Sequence, residues 1–249
     1  ARVVHHAVDA PVLREHGGPE VLHAEEIPTP EPGPGCVRVR VRAVALNHLD
    51  LWVRRGGPAF KLEYPHRLGS DIVGEVDAIG PGAVAKVGTK VVVQPGLSCM
   101  TCAACLGGHD NLCRWYRILG ENAQGGYAEY IVVPEVNLAP YPERLDWAHA
   151  AAGILTMLTA WQMVVHKARV QPGDTVLVQG AGSGVGVAAI QIARLHGARV
   201  IATAGSDEKV ARAIALGADH GVNYATSDFV AEAKKLTDKR GVDAVIEHV

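Results

Sequence analysis

The sequence has no surplus of either charge. Its 24 lysines and arginines face 26 aspartates and glutamates, a formal net charge of -2 over 249 residues. That balance removes the electrostatic reason to expect nucleic acid or an acidic membrane surface as a partner. Also lacking is an uninterrupted apolar run of the roughly 18 residues that a membrane span needs. The longest, Ala150 to Val165, is interrupted by Thr156, Thr159 and Gln162 and reads as a buried helix. The N-terminal stretch carries Arg2, Asp9, Arg14, Glu15 and Glu20, so no apolar signal segment is expected and the chain reads as cytoplasmic. No internal repeat or low-complexity tract occurs. With 48% hydrophobic and 20% charged residues, the composition is that of a globular chain of one or two domains.

Cysteine is scarce too. There are five, and four of them fall between Cys99 and Cys113, a poor distribution for a disulfide framework and a good one for a metal site. Cys99, Cys102, Cys105 and Cys113 follow one another at spacings that let four sulfurs reach one tetrahedral centre. Zinc is the default occupant of a closed four-sulfur site, one per chain, and its role there is structural because no position is open. An iron–sulfur cluster uses similar ligands. Four unligated thiols, the bland alternative, would be reactive without stabilising anything. Cys36, beside Pro34 and Gly35, reads as a free thiol.

A second pattern is organised around a glycine-rich turn. The apolar run Val176-Leu177-Val178 leads into Gly180-Ala181-Gly182-Ser183-Gly184-Val185-Gly186 and then an apolar helix, Val187 to Leu195. Strand, glycine turn and helix make the first half of a dinucleotide-binding βαβ unit. Glycines let the backbone approach a pyrophosphate, and the helix N-terminus offers free amides and a partial positive charge. One residue more than in the plain GxGxxG sits in this turn. A tight loop without a ligand is the competing reading.

Around these motifs the chain changes character. The first half is β-rich. Val37, Val39 and Val41 alternate with Arg38, Arg40 and Arg42, a strand with one buried and one solvated face rather than a basic patch. Ile72–Val76, Val91–Val93 and Tyr130–Val133 are further short strands, and glycine and proline punctuate them as in a barrel or sandwich. Near Pro142 an alanine-rich helix begins, predicted over Leu145 to Val165. Strands and helices then alternate: strand Arg199–Thr203, a helix capped by Ser206 and closed by Gly217, strand Val222–Tyr224, helix Asp228 to Lys239, and a last strand Val242 to Val249. Such alternation predicts a parallel sheet with helices on both faces. Only four strands are counted where a doubly wound dinucleotide fold uses about six. The chain is therefore expected to be a fragment.

On these motifs, together with Gly17-Gly18-Pro19-Glu20-Val21-Leu22 and Gly125-Gly126-Tyr127-Ala128-Glu129-Tyr130, the chain resembles the medium-chain dehydrogenase/reductase superfamily. Zinc alcohol dehydrogenases and quinone oxidoreductases belong to it. The resemblance implies an α/β protein: a GroES-like β-rich catalytic domain at 1–143, with a structural zinc lobe at about 96–114, then a Rossmann domain at 144–249 that is C-terminally incomplete. It also implies a homodimer or homotetramer, and about a hundred residues beyond those given. Where the superfamily's zinc alcohol dehydrogenases hold a second, catalytic zinc, this chain departs from the pattern. Asn47 falls at the first cysteine, Ser70-Asp71 at the histidine–acid pair, and Leu155-Thr156-Met157 around the third ligand. Leu49 stands where the proton relay begins.

A catalytic zinc needs three good protein ligands and an open fourth position, which Asn47, Ser70 and Thr156 do not supply. The constellation looks like the zinc-free quinone and enone reductases. The expected activity is hydride transfer between a nicotinamide cofactor and a quinone or α,β-unsaturated carbonyl. Asn47 would be the polar orienter and Asp50 its support rather than a base. An alcohol dehydrogenase and a non-catalytic NADP(H)-binding sensor or structural protein are the alternatives. Asp50, His66 and Asp71 leave room for an atypical second metal. Cofactor contacts are expected from Gly180, Gly182, Ser183, Gly184, Val185, Ala204, Ser206, Lys209 and Thr156, with His48 a candidate donor to the phosphates. An acid normally holds the ribose 2′-hydroxyl at the end of the second strand. Here Thr203-Ala204-Gly205-Ser206 stands there, with Lys209 and Arg212 close by, so NADP(H) is expected over NAD(H).

Overall fold

The computed structural model describes residues 7–58 and 60–248. The chain divides into two compact units, Ala1–Ile154 and Leu155–Val249.

The first unit opens on an antiparallel hairpin of β1 (Ala7–Leu13) and β2 (Leu22–Pro28). Next come β3 (Cys36–Ala45), α1 (His48–Arg55), β4 (Asp71–Ile79), β5 (Lys90–Val93), the short β6 (Gly96–Leu97), α2 (Ala103–Leu106), β7 (Arg117–Ile118), β8 (Tyr130–Pro134) and β9 (Leu138–Pro140). An antiparallel sheet of order β8-β3-β4-β5-β9 is the frame. Alternation along β3 does what its pattern predicts. Val37 and Val39 are fully buried in a core shared with Ile72, Val76, Val91, Val93, Ile131 and Val133. Arg38 and Arg40 on the other face both pair with Asp77, and Arg42 pairs with Glu75. The arginines are thus a neutralised strand face. At Gly74 the strands come so close that a Cβ would lie 2.2 Å from the Arg40 carbonyl oxygen.

The predicted helix over Leu145 to Val165 is two helices: α3 (Trp147–Ala151) and α4 (Ile154–Trp161), the latter running on as a π-helical turn, Gln162–Lys167. Asp146 caps α3 by accepting the amide of His149, which starts it two residues late. Ala152-Gly153 interrupts the run where glycine weakens helix continuation. Nor is the segment buried as expected. Ala150, Ala151, Ile154, Ala160 and Val164 are buried, whereas Met157, Leu158 and Trp161 are exposed. Trp147–Lys167 contains an 18-residue window with a mean hydropathy of 1.3, long and apolar enough for a membrane span, but the break after Ala151 makes the segment two short helices rather than one.

The second unit continues with β10 (Thr175–Val178), α5 (Gly184–Leu195), β11 (Arg199–Ala204), α6 (Asp207–Ala215), β12 (His220–Asn223), α7 (Phe229–Leu236) and β13 (Ala244–Ile246). Its four strands are parallel, in the order β12-β11-β10-β13. β10 is buried along its whole length, as a strand covered on both faces must be. Ala188, Ala189, Ile190, Ile192 and Ala193 of α5 pack against Val176, Val178, Val200 and Ala202. Small side chains on α5 let it lie close to the sheet.

The last helix and strand are shorter than predicted. α7 ends at Leu236 because Thr237 turns its hydroxyl back onto the Ala233 carbonyl, and Asp238 and Lys239 take positive φ values of 49° and 67°. β13 begins after Asp243, whose side chain is engaged by Arg240 and the Thr175 amide. Val249, the predicted end of that strand, lies outside the described residues.

Candidate functional site

Three groups of residues carry chemistry, and the first is the cysteine lobe. Cys99, Cys102, Cys105 and Cys113 bring their sulfurs within 4.8 Å of one another. The Cys102–Cys105 and Cys99–Cys105 sulfurs are 3.5 and 3.9 Å apart. Sulfurs bound to one tetrahedral zinc at about 2.3 Å sit roughly 3.8 Å from each other, so the cluster has the dimensions of a zinc centre. Backbone amides stabilise thiolates here: Cys102 N–H points at Cys99 Sγ, and Trp115 N–H at Cys113 Sγ. Amide donation from Thr101 and Cys102 pushes the Cys99 thiol down to about 6. The donor set fits zinc: four soft anionic ligands, one of them buried.

The second group lies at the start of α1. Asp50, buried, accepts the backbone amide of Asn47 at 2.7 Å and that of Gly69 at 3.0 Å. Asn47 in turn donates its side-chain amide to Asp71 at 3.0 Å. Burial raises the Asp50 pKa despite these donors. Through these two bonds Asp50 joins the α1 N-terminus to the chain before β4. Tyr127, which sequence reasoning passed over as one residue of a glycine-rich motif, closes the group. Its ring packs on Gly69, where a Cβ would lie 2.5 Å from Tyr127 Cδ1. Burial, together with the charges of Asp50 and Asp71, holds its hydroxyl well above the ordinary phenol range.

Ser70 and His66 are placed otherwise. Ser70 is fully buried and gives its hydroxyl to the Leu119 carbonyl at 2.7 Å. His66 turns Nε2 to the Gly120 carbonyl, and burial lowers its pKa. The atypical grouping of Asp50, His66 and Asp71 is not assembled: among the described residues the four cysteines are the one cluster of ligands that converges. His48 lies exposed on α1, its ring 6.1 Å from that of Trp52.

The glycine turn is the third group. Gly180 takes a φ of 59°, which glycine alone adopts at little cost, and Gly186 sits where a Cβ would come 2.4 Å from the Gly180 carbonyl oxygen. Ser183 caps α5 by accepting the Gly186 amide at 2.9 Å. Gly182 lies beneath the Lys209 stem and Gly184 beside the Thr156 methyl, so both side chains named from the sequence do border the turn. Val185 packs into the core below. At the end of β11, Ala204 is buried and Ser206 caps α6. Arg212 pairs with Glu208 at 2.6 Å, and Asp207 accepts from Asn223 at 2.8 Å. Tyr224 lies over Gly205, with its hydroxyl 2.8 Å from where a Cβ would stand, a contact that no local pattern announces.

Comparison with known proteins covers both compact units. Residues 33–143 match the family model of the alcohol dehydrogenase GroES-like domain, and residues 184–249 that of the zinc-binding dehydrogenases. The chain belongs to the medium-chain dehydrogenase/reductase superfamily. Its first unit is the GroES-like domain and its second a Rossmann-type parallel sheet. A quinone oxidoreductase of Pongo abelii is 32% identical over 235 residues, 94% of this chain and 64% of that protein. An NAD-dependent alcohol dehydrogenase of Saccharolobus solfataricus is 34% identical over 244 residues, 94% of this chain and 70% of that one. A solved NAD-dependent alcohol dehydrogenase superposes with a TM-score of 0.94 at 59% identity, covering 97% of this chain and 71% of its own. The chain therefore spans about two thirds of the length of the relatives it matches.

Proposed function

We propose that this protein is an NAD(P)-dependent oxidoreductase that moves hydride between a nicotinamide cofactor and a quinone or α,β-unsaturated carbonyl, with a structural zinc and no catalytic one. One observation carries the reading: the group at the α1 N-terminus has hydrogen-bonding side chains and, among the described residues, no convergent set of three zinc donors. Asn47 is neutral and bonded to Asp71, and Ser70 has given its hydroxyl to the backbone. Such a group orients a carbonyl or a carboxamide. It does not polarise an alkoxide as three-ligand zinc does. A bound nicotinamide would supply the hydride chemistry, and the chain would supply orientation through Asn47. Zinc, held by Cys99, Cys102, Cys105 and Cys113, would brace the lobe between β6 and β7.

NADP(H) is the cofactor we favour. Of the two cations read from the sequence, Arg212 is paired with Glu208, so Lys209, whose stem crosses Gly182, carries the preference. Asp207 follows the strand end by three residues and accepts the Asn223 side-chain amide on one of its two oxygens. Fluorescence titration with NADPH and NADH tests this, and equal or weaker binding of NADPH sinks it. Similarity to a solved NAD-dependent alcohol dehydrogenase at 59% identity supports the second reading, alcohol dehydrogenation. NADPH oxidation with a panel of quinones and enones, against NAD(P)+ reduction with primary and secondary alcohols, separates the two. Turnover of the alcohols alone overturns the first.

A further inference from the structure

The four sulfurs of the cysteine lobe are not equivalent. Cys99 Sγ receives the backbone amide of Cys102 at 3.3 Å and the Thr101 hydroxyl at 3.7 Å. Cys113 Sγ receives two amides, from Cys99 at 3.5 Å and from Trp115 at 3.4 Å, and Cys113 is buried. Among the described residues no N–H or O–H reaches the sulfur of Cys102 or Cys105, and both residues are partly exposed. These two bare sulfurs lie 3.5 Å apart, closer than the 3.9 Å between Cys99 and Cys105. Cys102 is the N-cap of α2 and Cys105 stands one turn on, the Cys-x-x-Cys spacing that dithiol–disulfide couples use.

That asymmetry has a chemical consequence. Sulfurs that share one zinc are all thiolates, so the fraction ionised does not separate them and intrinsic nucleophilicity does. A hydrogen bond donated to a thiolate draws off its basicity, and nucleophilicity follows basicity with a Brønsted slope of about 0.5. Two donors that remove about two powers of ten in basicity therefore slow a sulfur about tenfold. Cys99 and Cys113 carry such donors. Cys102 and Cys105 do not.

We propose that Cys102 and Cys105 are the thiol-oxidation site of the lobe: a hydroperoxide turns this pair into a disulfide while Cys99 and Cys113 stay reduced. In the first step one thiolate of the pair attacks the peroxide; S–O forms, O–O breaks and hydroxide leaves. In the second the other thiolate attacks the sulfenic sulfur; S–S forms, S–O breaks and a second hydroxide leaves. Two thiolates have then lost two electrons, and with two protons from solvent one hydrogen peroxide has become two waters. The disulfide takes away two of the four ligands, so oxidation releases the metal, and thiol exchange restores the site. The proposal rests on the zinc reading of the lobe, but not on the substrate or the dinucleotide.

Differential thiol labelling of the zinc-loaded chain tests it, on wild type and on Cys36→Ser, which removes the fifth thiol. The protein is treated with less than one equivalent of hydrogen peroxide, and released zinc is read with a chromogenic chelator. Remaining thiols are alkylated with a light reagent under denaturing conditions, and the disulfide is then reduced and alkylated with a heavy one. All four cysteines lie between Lys90 and Arg114, on one tryptic peptide, so fragment masses assign each label within a single molecule. Heavy label should fall on Cys102 and Cys105 about tenfold more than on Cys99 and Cys113, with one zinc released per disulfide. Dithiothreitol and added zinc should restore the starting pattern. Heavy label spread evenly, or on any other pair, overturns the proposal, as does zinc that stays bound under excess peroxide. A chain that takes up no zinc overturns the zinc reading and the proposal together, whereas a wrong label pattern on a zinc-loaded chain overturns the proposal alone.

Discussion

Asp50 shows how a residue can look catalytic and serve as a brace. Both carboxylate oxygens are occupied, one by the Asn47 amide and the other by the Gly69 amide. An asparagine there keeps one acceptor and turns an NH2 group toward the second amide. Asp50→Asn should therefore cost about 1–3 kcal/mol of stability, since a buried donor loses its partner. Chemical denaturation measures this, and an unchanged midpoint would return Asp50 to the candidates for proton transfer. Asn47→Ala should lower turnover in steady-state assays and also cost about 0.5–2 kcal/mol, because Asn47 is the N-cap residue of α1 and its amide is bonded to the buried Asp71. The family resemblance made Asn47 and Asp50 legible, by setting Asn47 where the zinc alcohol dehydrogenases carry a cysteine; that Asp50 accepts the Asn47 amide, as the third residue after a helix cap, shows only in the fold. Tyr127, Tyr224 and His248 were not legible in the same way. Each meets its partner across the fold, Tyr127 on Gly69, Tyr224 on Gly205 and His248 on Ser183.

Among the elements, what the pattern announced and what it missed divide along the same line. β3 and β10 were readable because alternation and continuous apolarity report directly which faces are covered. The helix predicted over Leu145 to Val165 was not, since its apolar period is unbroken while its backbone breaks at Ala152-Gly153. β13 was overrun because the apolar pattern says nothing of Asp243, which anchors the strand start. Asp243 accepts the Thr175 amide at 2.7 Å and pairs with Arg240. Arg240 donation, followed by that amide, pulls its carboxyl from 3.8 down to about 2. A depressed carboxylate contributes stability above its ordinary pKa and loses it as pH falls through the folded value. Acid should therefore weaken the β10–β13 edge between about pH 4 and pH 2. Asp243→Asn should flatten the acid dependence in that window while lowering stability at neutral pH. Denaturant midpoints collected from pH 2 to pH 7 check this, and parallel curves for the two proteins would refute it.

For the whole molecule, the four cysteines belong to one compact unit and the glycine turn, Gly180 to Gly186, to the other. Metal loss and cofactor binding should then come apart. The four thiolates sit in a chain stretch whose regular pieces are short, α2, two two-residue strands and a 3-10 turn at Asp110–Leu112, so a bound metal would supply much of what holds the lobe. Stripping it leaves like charges and thiols within 4.8 Å of one another. If the metal contributes about 3 kcal/mol net, the thermal midpoint should fall by roughly 6–12 °C in a chain of this size. Cys113→Ser, which removes the buried ligand, should reproduce that fall. ADP-ribose affinity should stay unchanged in both cases, because the turn that carries it has its own core beneath α5. Elemental analysis of the purified chain should give one zinc. Two zinc ions per chain would mean a second donor set outside the four cysteines and would favour the alcohol dehydrogenase reading. A lost ADP-ribose affinity on chelation would mean that the lobe and the glycine turn fold as one cooperative body.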